Sequence, residues 1–313
     1  MHAVTLGNVV VTGGAGFIGS HLCDALLAGG NAVTCVDSLV ATGDSTRNVE
    51  HLIGEPRFDL VVEDVLTWAA RADLRETACV FHQAASKNTV CREDSERDLQ
   101  VNGLATLRLV RAAARDGVSK FVHASTGSVL GDSAGRAGGR PVSYYGVSKL
   151  AGETYCAIVA GESDLHHTVL RYYHVIGPRQ DSSEAGGVVP IFARRALAGQ
   201  PLVVYGDGEQ TRSFTSVHDV VRVNLLAAGS PELDGETVTC ASGVRVSIRG
   251  LAEYVNERTG NGAGIEYGPA RPGDIARFDV DGSGLRALGI DVDTDWRASV
   301  DAVIESLSPL PAA

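Results

Sequence analysis

The sequence predicts an α/β fold, a doubly wound parallel Rossmann sheet with a smaller C-terminal substrate-binding lobe. Three observations carry this expectation. Short β-branched runs alternate with helical stretches through the first half of the chain. The first strand runs straight into a glycine-rich turn, T-G-G-A-G-F-I-G at positions 12–19, and a helical pattern follows. Near residue 172 the rhythm changes to Gly- and Pro-containing loops between shorter elements.

Residues 8–11 are a β-branched run and read as the first strand, with a helix over 20–28. The second strand, 32–36, ends at Asp37. Apolar runs at 60–62, 79–82, 121–124 and 168–170 read as further strands, with helices over 104–115 and 147–159 between them. Parallel strands joined this way need right-handed crossovers. The expected organisation is a dinucleotide-binding domain over 1–172 and a nucleotide-binding lobe over 173–313, with 215–238 returning to the first domain through a helix at 217–228. Amphipathic stretches at 247–258 and 296–307 supply helices of the smaller lobe.

With 313 residues and 44% hydrophobic composition, the chain can bury a sizeable core. Lys and Arg number 27 against 38 Asp and Glu, a net charge of −11 that argues against nucleic acid or an anionic membrane as partner. No apolar run approaches the ~20 residues that span a bilayer. No cationic segment with a cleavage site opens the sequence, so a cytoplasmic location is expected. Cys23, Cys35, Cys79, Cys91, Cys156 and Cys240 form no C-x-x-C pair, and reduced thiols without a metal are expected.

Gly13, Gly16 and Gly19 follow a strand and open a helix, the setting in which backbone can approach a pyrophosphate at a helix N-terminus. Asp37 stands 18 residues after Gly19, at the end of the second strand. A carboxylate there accepts from the adenosine ribose and repels a 2′-phosphate, which favours NAD over NADP. Tyr145 and Lys149 are spaced i, i+4 on a helix, so phenol and ammonium share one face. A neighbouring ammonium favours phenolate, the form a tyrosine needs to act as a general base. Ser125 and Thr126 directly follow a strand, at the end of a parallel sheet that faces ligands.

Seven motifs occur in order: T-G-G-A-G-F-I-G at 12–19, D-S-L-V-A-T-G at 37–43, H-Q-A-A at 82–85, Y-x-x-x-K at 145–149, L-R-Y-Y-H-V-I-G-P-R at 170–179, Y-G-D-G-E-Q-T-R-S-F at 205–214 and R-P-G-D at 271–274. Together they resemble the extended short-chain dehydrogenase/reductase family, in its branch of nucleotide-sugar epimerases and dehydratases. The resemblance implies an NAD site that includes Phe17, Ile18, Ser38, Gly43, Asp64, Val65, Ala84, Ala85, Lys87, Asn102 and Tyr172, besides the residues already named. It implies substrate contacts from Lys87, Thr126, His174, Val188, Val189, Tyr205, Arg212, Val238, Arg271 and Asp274, with Arg212 and Arg271 clamping a diphosphate. It also implies a homodimer built on the helices at 104–115 and 147–159.

Within that branch the positions after Thr126 discriminate between reactions. Dehydratases resembling this chain carry an Asp-Glu pair where Gly127 and Ser128 stand, so elimination lacks its acid and base. Decarboxylases carry Glu at the position of Ser128. The resemblance therefore implies 4-epimerisation of a UDP-hexose, in glucose/galactose, N-acetyl or uronate form, with UDP preferred to dTDP. A 4-keto-sugar reductase or another C5- or C6-modifying relative is the alternative, followed by a dinucleotide sensor without turnover. Three residues depart from the family pattern: Leu130 replaces a tyrosine, His174 an asparagine, and Ser213 an aspartate. At His174 two readings stand equal: a substrate donor whose imidazole changes charge near pH 6.5, or a structural histidine.

Overall fold

The computed structural model describes residues 4–40, 45–86, 93–133, 139–184, 186–270 and 280–308. Two compact units emerge, Met1–Tyr172 with His218–Cys240, and Tyr173–Val217 with Ala241–Ala313.

In the first unit the elements are β1 (Asn8–Thr12), α1 (Phe17–Ala28), β2 (Ala32–Asp37), β3 (Phe58–Val62), α2 (Val65–Trp68), β4 (Cys79–His82), α3 (Ser95–Leu99), α4 (Thr106–Arg115), β5 (Lys120–Thr126), α5 (Tyr144–Gly161) and β6 (His166–Tyr172). The second unit follows with β7 (Val175–Ile176), α6 (Val188–Leu197), β8 (Leu202–Tyr205), β9 (Thr211–Ser213) and β10 (Thr215–Ser216). The chain returns through α7 (Val217–Gly229) and β11 (Thr237–Cys240). It ends in β12 (Arg245–Ser247), α8 (Ile248–Thr259), β13 (Ile265–Gly268), α9 (Ser283–Ala287) and α10 (Trp296–Leu307).

The seven-stranded sheet of the first unit has the order β11-β6-β5-β4-β1-β2-β3, and all of its pairings are parallel. Strands buried on both faces explain the runs without alternation: Val9, Val10 and Val11 are at most 4% exposed. Core side chains of the sheet, Val80 and Phe121, meet Leu109, Val110 and Ala113 of α4 and Cys156 of α5. The second unit has its own core, in which Phe192, Leu202, Leu251, Val255, Val300 and Ile304 join α6, α8 and α10 to β8.

Local chemistry sets the helix that matters most. Ser143 is the N-cap of α5, its hydroxyl accepting from the Gly146 N–H at 3.1 Å, so the helix starts at Tyr144, earlier than the apolar periodicity predicts. The α4 region opens with a π-helical segment, Gln100–Ala105. Its Asn102 carbonyl accepts from the Thr106 hydroxyl at 2.7 Å. No described helix is long and apolar enough to cross a membrane.

Candidate active site

The glycine turn is built on steric necessity. Gly13 has φ +68°, and a Cβ there would lie 2.6 Å from the Ala84 nitrogen and 2.7 Å from its Cα. A Cβ on Gly19 would lie 2.1 Å from the Gly13 carbonyl oxygen. Both positions need glycine for α1 to sit against β1 and β4. Gly14 rests on sulfur, with an added Cβ 2.6 Å from Cys35 Sγ and 3.2 Å from Cys23 Sγ, which explains two of the small buried thiols. Cys23, Cys35, Cys79, Cys156 and Cys240 are all free and buried, while Cys91 lies outside the described residues.

Gly16 is the N-cap of α1 and supplies no side-chain cap, leaving the first-turn N–H groups of Phe17 and Ile18 open to an anion. Asp37 ends β2 and is 8% exposed. Its carboxylate accepts from the N–H of Ala15 at 3.0 Å and of Leu39 at 2.8 Å. Burial pushes its carboxyl up while those N–H groups hold it down. Ser38 follows half-buried, and Gly43 lies outside the described residues.

Asp64 is the N-cap of α2, accepting from the Leu66 N–H at 2.8 Å, and it also pairs with Arg97. Val65 is 7% exposed and packs with Val101 and Ala105. Ala84 faces Gly13, and Ala85 is exposed. The Tyr172 hydroxyl donates to Gln83 Oε1 at 3.1 Å and accepts from Asn224 Nδ2 at 2.8 Å. Gln83 lies inside the H-Q-A-A motif without a role having been assigned to it, and Asn224 lies in no motif; the two meet only through the fold.

Thr126 is the last residue of β5. Its hydroxyl donates to Ser128 Oγ at 3.3 Å and accepts from the Ser128 N–H at 3.2 Å. A Cβ on Gly146 would lie 2.6 Å from the Ser128 carbonyl oxygen, so the first turn of α5 is seated directly on the Thr126 turn. Tyr145 and Lys149 follow on that helix. Lys149 is 1% exposed, and its Nζ has no hydrogen-bond partner among the described residues. Burial lowers it to about 8, opposed by the charges of Glu153, Cys156 and Asp98.

A polar network fixes this helix. Asn102 Nδ2 donates to Asp98 Oδ1 at 3.0 Å and to Ser148 Oγ at 3.1 Å, while its Oδ1 accepts from the Ser86 N–H at 2.9 Å. On the other side, Ser125 donates to Glu153. Arg171 makes two bonds to the same carboxylate, Nε to Oε1 at 2.9 Å and Nη2 to Oε2 at 2.6 Å. Beneath lie His82 and His123, their rings stacked at 5.4 Å. His82 bonds Thr12 Oγ1 at 2.7 Å and Thr106 Oγ1 at 2.9 Å. Burial first, then Lys149, drives both imidazoles toward the neutral form, His82 to about 3.

In the second unit His174 adopts φ +37° and meets Phe214 edge-on at 6.4 Å. Burial, with Arg212 adding to it, lowers His174 to about 3, so the expectation that it changes charge near pH 6.5 is corrected: it is neutral throughout the physiological range. Arg212 lies in β9, its Nη1 donating to the Thr211 carbonyl at 3.0 Å. Ser213, 1% exposed, accepts from the Gly243 N–H at 3.1 Å, a structural task for the residue that departs from the family pattern. Val188 opens α6, Val189 is core at 1% exposure, and Tyr205 ends β8 at 36%. Val238, in the first unit, is 7% exposed within β11 and pairs with Leu170. Lys87, Arg271 and Asp274 lie outside the described residues.

A parallel sheet whose first crossover carries an obligate glycine turn, with an acidic residue ending the second strand and a Tyr-x-x-x-Lys helix after the fifth, defines a dinucleotide-dependent extended short-chain dehydrogenase/reductase. The chain belongs to the NAD dependent epimerase/dehydratase family, whose model matches residues 9–241. It is similar to the UDP-glucose 4-epimerase of Mycolicibacterium smegmatis, 35% identical over 292 residues that cover 90% of this chain and 92% of that one. The UDP-N-acetyl-alpha-D-glucosaminuronate decarboxylase of Bacillus cytotoxicus is 32% identical, with 83% of each chain covered. Among solved structures, the Thermus thermophilus UDP-glucose 4-epimerase complex with NAD superposes with a TM-score of 0.85 at 34% identity, covering 96% of this chain and 98% of that one.

Proposed function

We propose that the protein inverts C4 of a UDP-hexose through a transient 4-keto sugar, with NAD held in the first unit. The observation that carries this reading is the buried Lys149 ammonium, without a hydrogen-bond partner among the described residues, one turn from Tyr145 on a helix seated against the Thr126 turn. A cation without a protein partner in a buried position calls for a ligand with acceptor oxygens, which the nicotinamide ribose of NAD offers. The uncapped start of α1 suits the pyrophosphate, and Asp37 suits an unphosphorylated ribose.

When bound, NAD supplies the acceptor that takes hydrogen from C4 and gives it back. Tyr145 removes and returns the C4 hydroxyl proton at its phenol oxygen, and the Lys149 charge supports the phenolate. Thr126 hydrogen-bonds the same sugar oxygen through its hydroxyl and keeps it in line with Tyr145. No carboxylate stands at Gly127 or Ser128, so nothing at those positions drives elimination from the keto sugar. In the second unit, Arg212 is the described guanidinium suited to the diphosphate, and neutral His174 can donate or accept beside it. Arg271, Asp274 and Lys87 complete the proposed substrate set, together with Tyr205, Val188, Val189 and Val238.

Exposed apolar side chains on α3, the π segment and α5, namely Leu99 at 53%, Leu104 at 38%, Val147 at 53% and Ile158 at 50%, support a homodimer on this face. The reading places the protein in the cytoplasm, where its buried thiols stay reduced.

The test is incubation of NAD-loaded protein with UDP-glucose, UDP-N-acetylglucosamine and UDP-glucuronate, followed by proton NMR of the anomeric signals. Appearance of the C4 epimer of one sugar is the expected result. Release of carbon dioxide from the uronate, or consumption of a supplied 4-keto sugar only with added reduced dinucleotide, would replace the proposal with decarboxylation or net reduction.

A further inference from the structure

Tyr145, Lys149 and Glu153 stand at i, i+4 and i+8, on one face of α5. Glu153 is 7% exposed, and its carboxylate is held by Ser125 at the end of β5 and by both prongs of Arg171 near the end of β6. Ser125 and Arg171 are direct register partners and immediately precede Thr126 and Tyr172. One carboxylate therefore ties together the two strand ends and the helix on which the proposed reacting groups are mounted.

Lys149 has no hydrogen-bonding partner among the described residues, and its charge responds to the charged groups around it. Its own helix contributes Glu153 and Cys156, α3 contributes Asp98, β4 and β5 contribute His82 and His123, and β6 contributes Arg171 through Glu153. The π segment and α4 bring the neutral Asn102 and Thr106, while Arg108 and Arg115 of α4 reach away to the Leu66 carbonyl and to Asp116. Both histidines are neutral and Asp98 is occupied by Ser148 and Asn102. Glu153, one turn further along the same helix face, is thus the anion that acts most strongly on Lys149, and Arg171 is bonded to both of its oxygens.

We propose that Glu153 is a positioning residue that keeps Lys149 protonated in its buried site, and that Arg171 acts as the counterweight by neutralising part of the Glu153 charge. This rests on the reading of Tyr145 and Lys149 as the proton-transfer pair. The Ser125–Glu153–Arg171 cluster then does more than brace the strand ends: it sets the alkaline limit of activity.

The two roles separate by sign. If the cluster were only a brace, Glu153→Gln and Arg171→Gln would break the same ion pair and lower activity alike, with the pH profile unmoved. If it sets the Lys149 charge, Glu153→Gln removes a stabilising anion and shifts the basic limb of kcat/KM to lower pH. The expected size is about 1 pH unit, the low end of the effect of an adjacent opposite charge. Arg171→Gln unmasks the carboxylate and shifts that limb to higher pH, and Glu153→Asp, which keeps the charge, leaves it in place even where kcat falls.

The same variants are read without turnover by NMR titration of the Lys149 side chain in the NAD-loaded protein, assigned by its loss in Lys149→Met. A lower midpoint in Glu153→Gln is the expected result, and it serves alone if Arg171→Gln does not fold. An unmoved midpoint, or shifts of the same sign in both variants, overturns the inference. Full activity in Tyr145→Phe would instead overturn the reading of α5 on which it rests.

Discussion

Replacing Gly13 by alanine isolates what the glycine turn does. The substitution meets two separate costs. At φ +68° an L-residue is strained by roughly 1–2 kcal/mol. The new Cβ would also lie 2.6, 2.7 and 2.9 Å from backbone atoms of Ala84 and Gln83, which cannot swing aside as a side chain can. Overpacking of this kind costs typically about 1–3 kcal/mol. Gly30 is the internal control: its φ is +85°, and an added Cβ meets nothing within 4 Å. Gly30→Ala should therefore lose about 1–2 kcal/mol of stability and bind NAD as the parent does.

Gly13→Ala should lose about 2–5 kcal/mol in denaturant unfolding, the sum of the two terms. Because the displaced backbone lines the turn that faces the start of α1, NAD affinity should fall at least tenfold, about 1.4 kcal/mol. Calorimetric titration of cofactor-stripped protein measures this beside the unfolding curves. Equal NAD affinity in the two variants would refute the assignment of this turn as the pyrophosphate cradle.

Three further outcomes follow from the same contacts. His123→Phe removes an imidazole whose two nitrogens have no partner among the described residues and whose folded form is neutral because of burial. The unfolded chain binds a proton below about pH 6.5 that the fold refuses, so parent stability falls as pH falls. The variant should gain on the parent by up to about 1.4 kcal/mol per pH unit below that point, read by unfolding at pH 7 and 5; a constant difference would contradict the buried neutral ring. Gly146→Ala pushes a Cβ to 2.6 Å from the Ser128 carbonyl and should lower kcat at least tenfold with NAD binding retained, as measured by turnover and titration. The His174 ring, held to about 3, should show no change in its C2 proton shift between pH 5 and 8.

Much of the first unit could be read in advance because its signals are local. Strands buried on both faces appear as unbroken apolar runs, and β1, β2 and β4 match them to within one residue. The glycine turn and Asp37 were legible because each is required by backbone geometry at a fixed place in the strand-turn-helix order. Apolar periodicity alone starts α5 at 147, whereas the Tyr-x-x-x-Lys motif puts its opening at Tyr145, one residue from the start that the Ser143 cap sets. The π segment around Asn102 leaves no mark in the periodicity, and the bonds that Asn102 makes there, to Ser86 and Ser148, join residues far apart in sequence.

Glu153 and Arg171 were invisible for a related reason. A Glu at i+4 from a Lys on a helix reads as an ordinary surface pair. Only the alignment of β5 with β6 brings the half-buried Arg171 onto it. Asp64 likewise has duties in capping α2 and pairing with Arg97 that the family resemblance did not announce. The sequence left two readings of His174 open, because burial and the neighbouring Arg212, not its residue type, decide its charge.

The central claim is that one proton-transfer pair on α5 lets the C4 hydrogen of a sugar leave and return within a single turnover. The UDP-hexose that turns over among the three, carrying deuterium at C4 and incubated in ordinary water with the NAD-loaded protein, puts this to the test by NMR. The account predicts that its C4 epimer forms with the deuterium still at C4, and that Tyr145→Phe, with NAD bound as tightly, forms almost none. Loss of the label to solvent during turnover, or an undiminished rate in Tyr145→Phe, would contradict it.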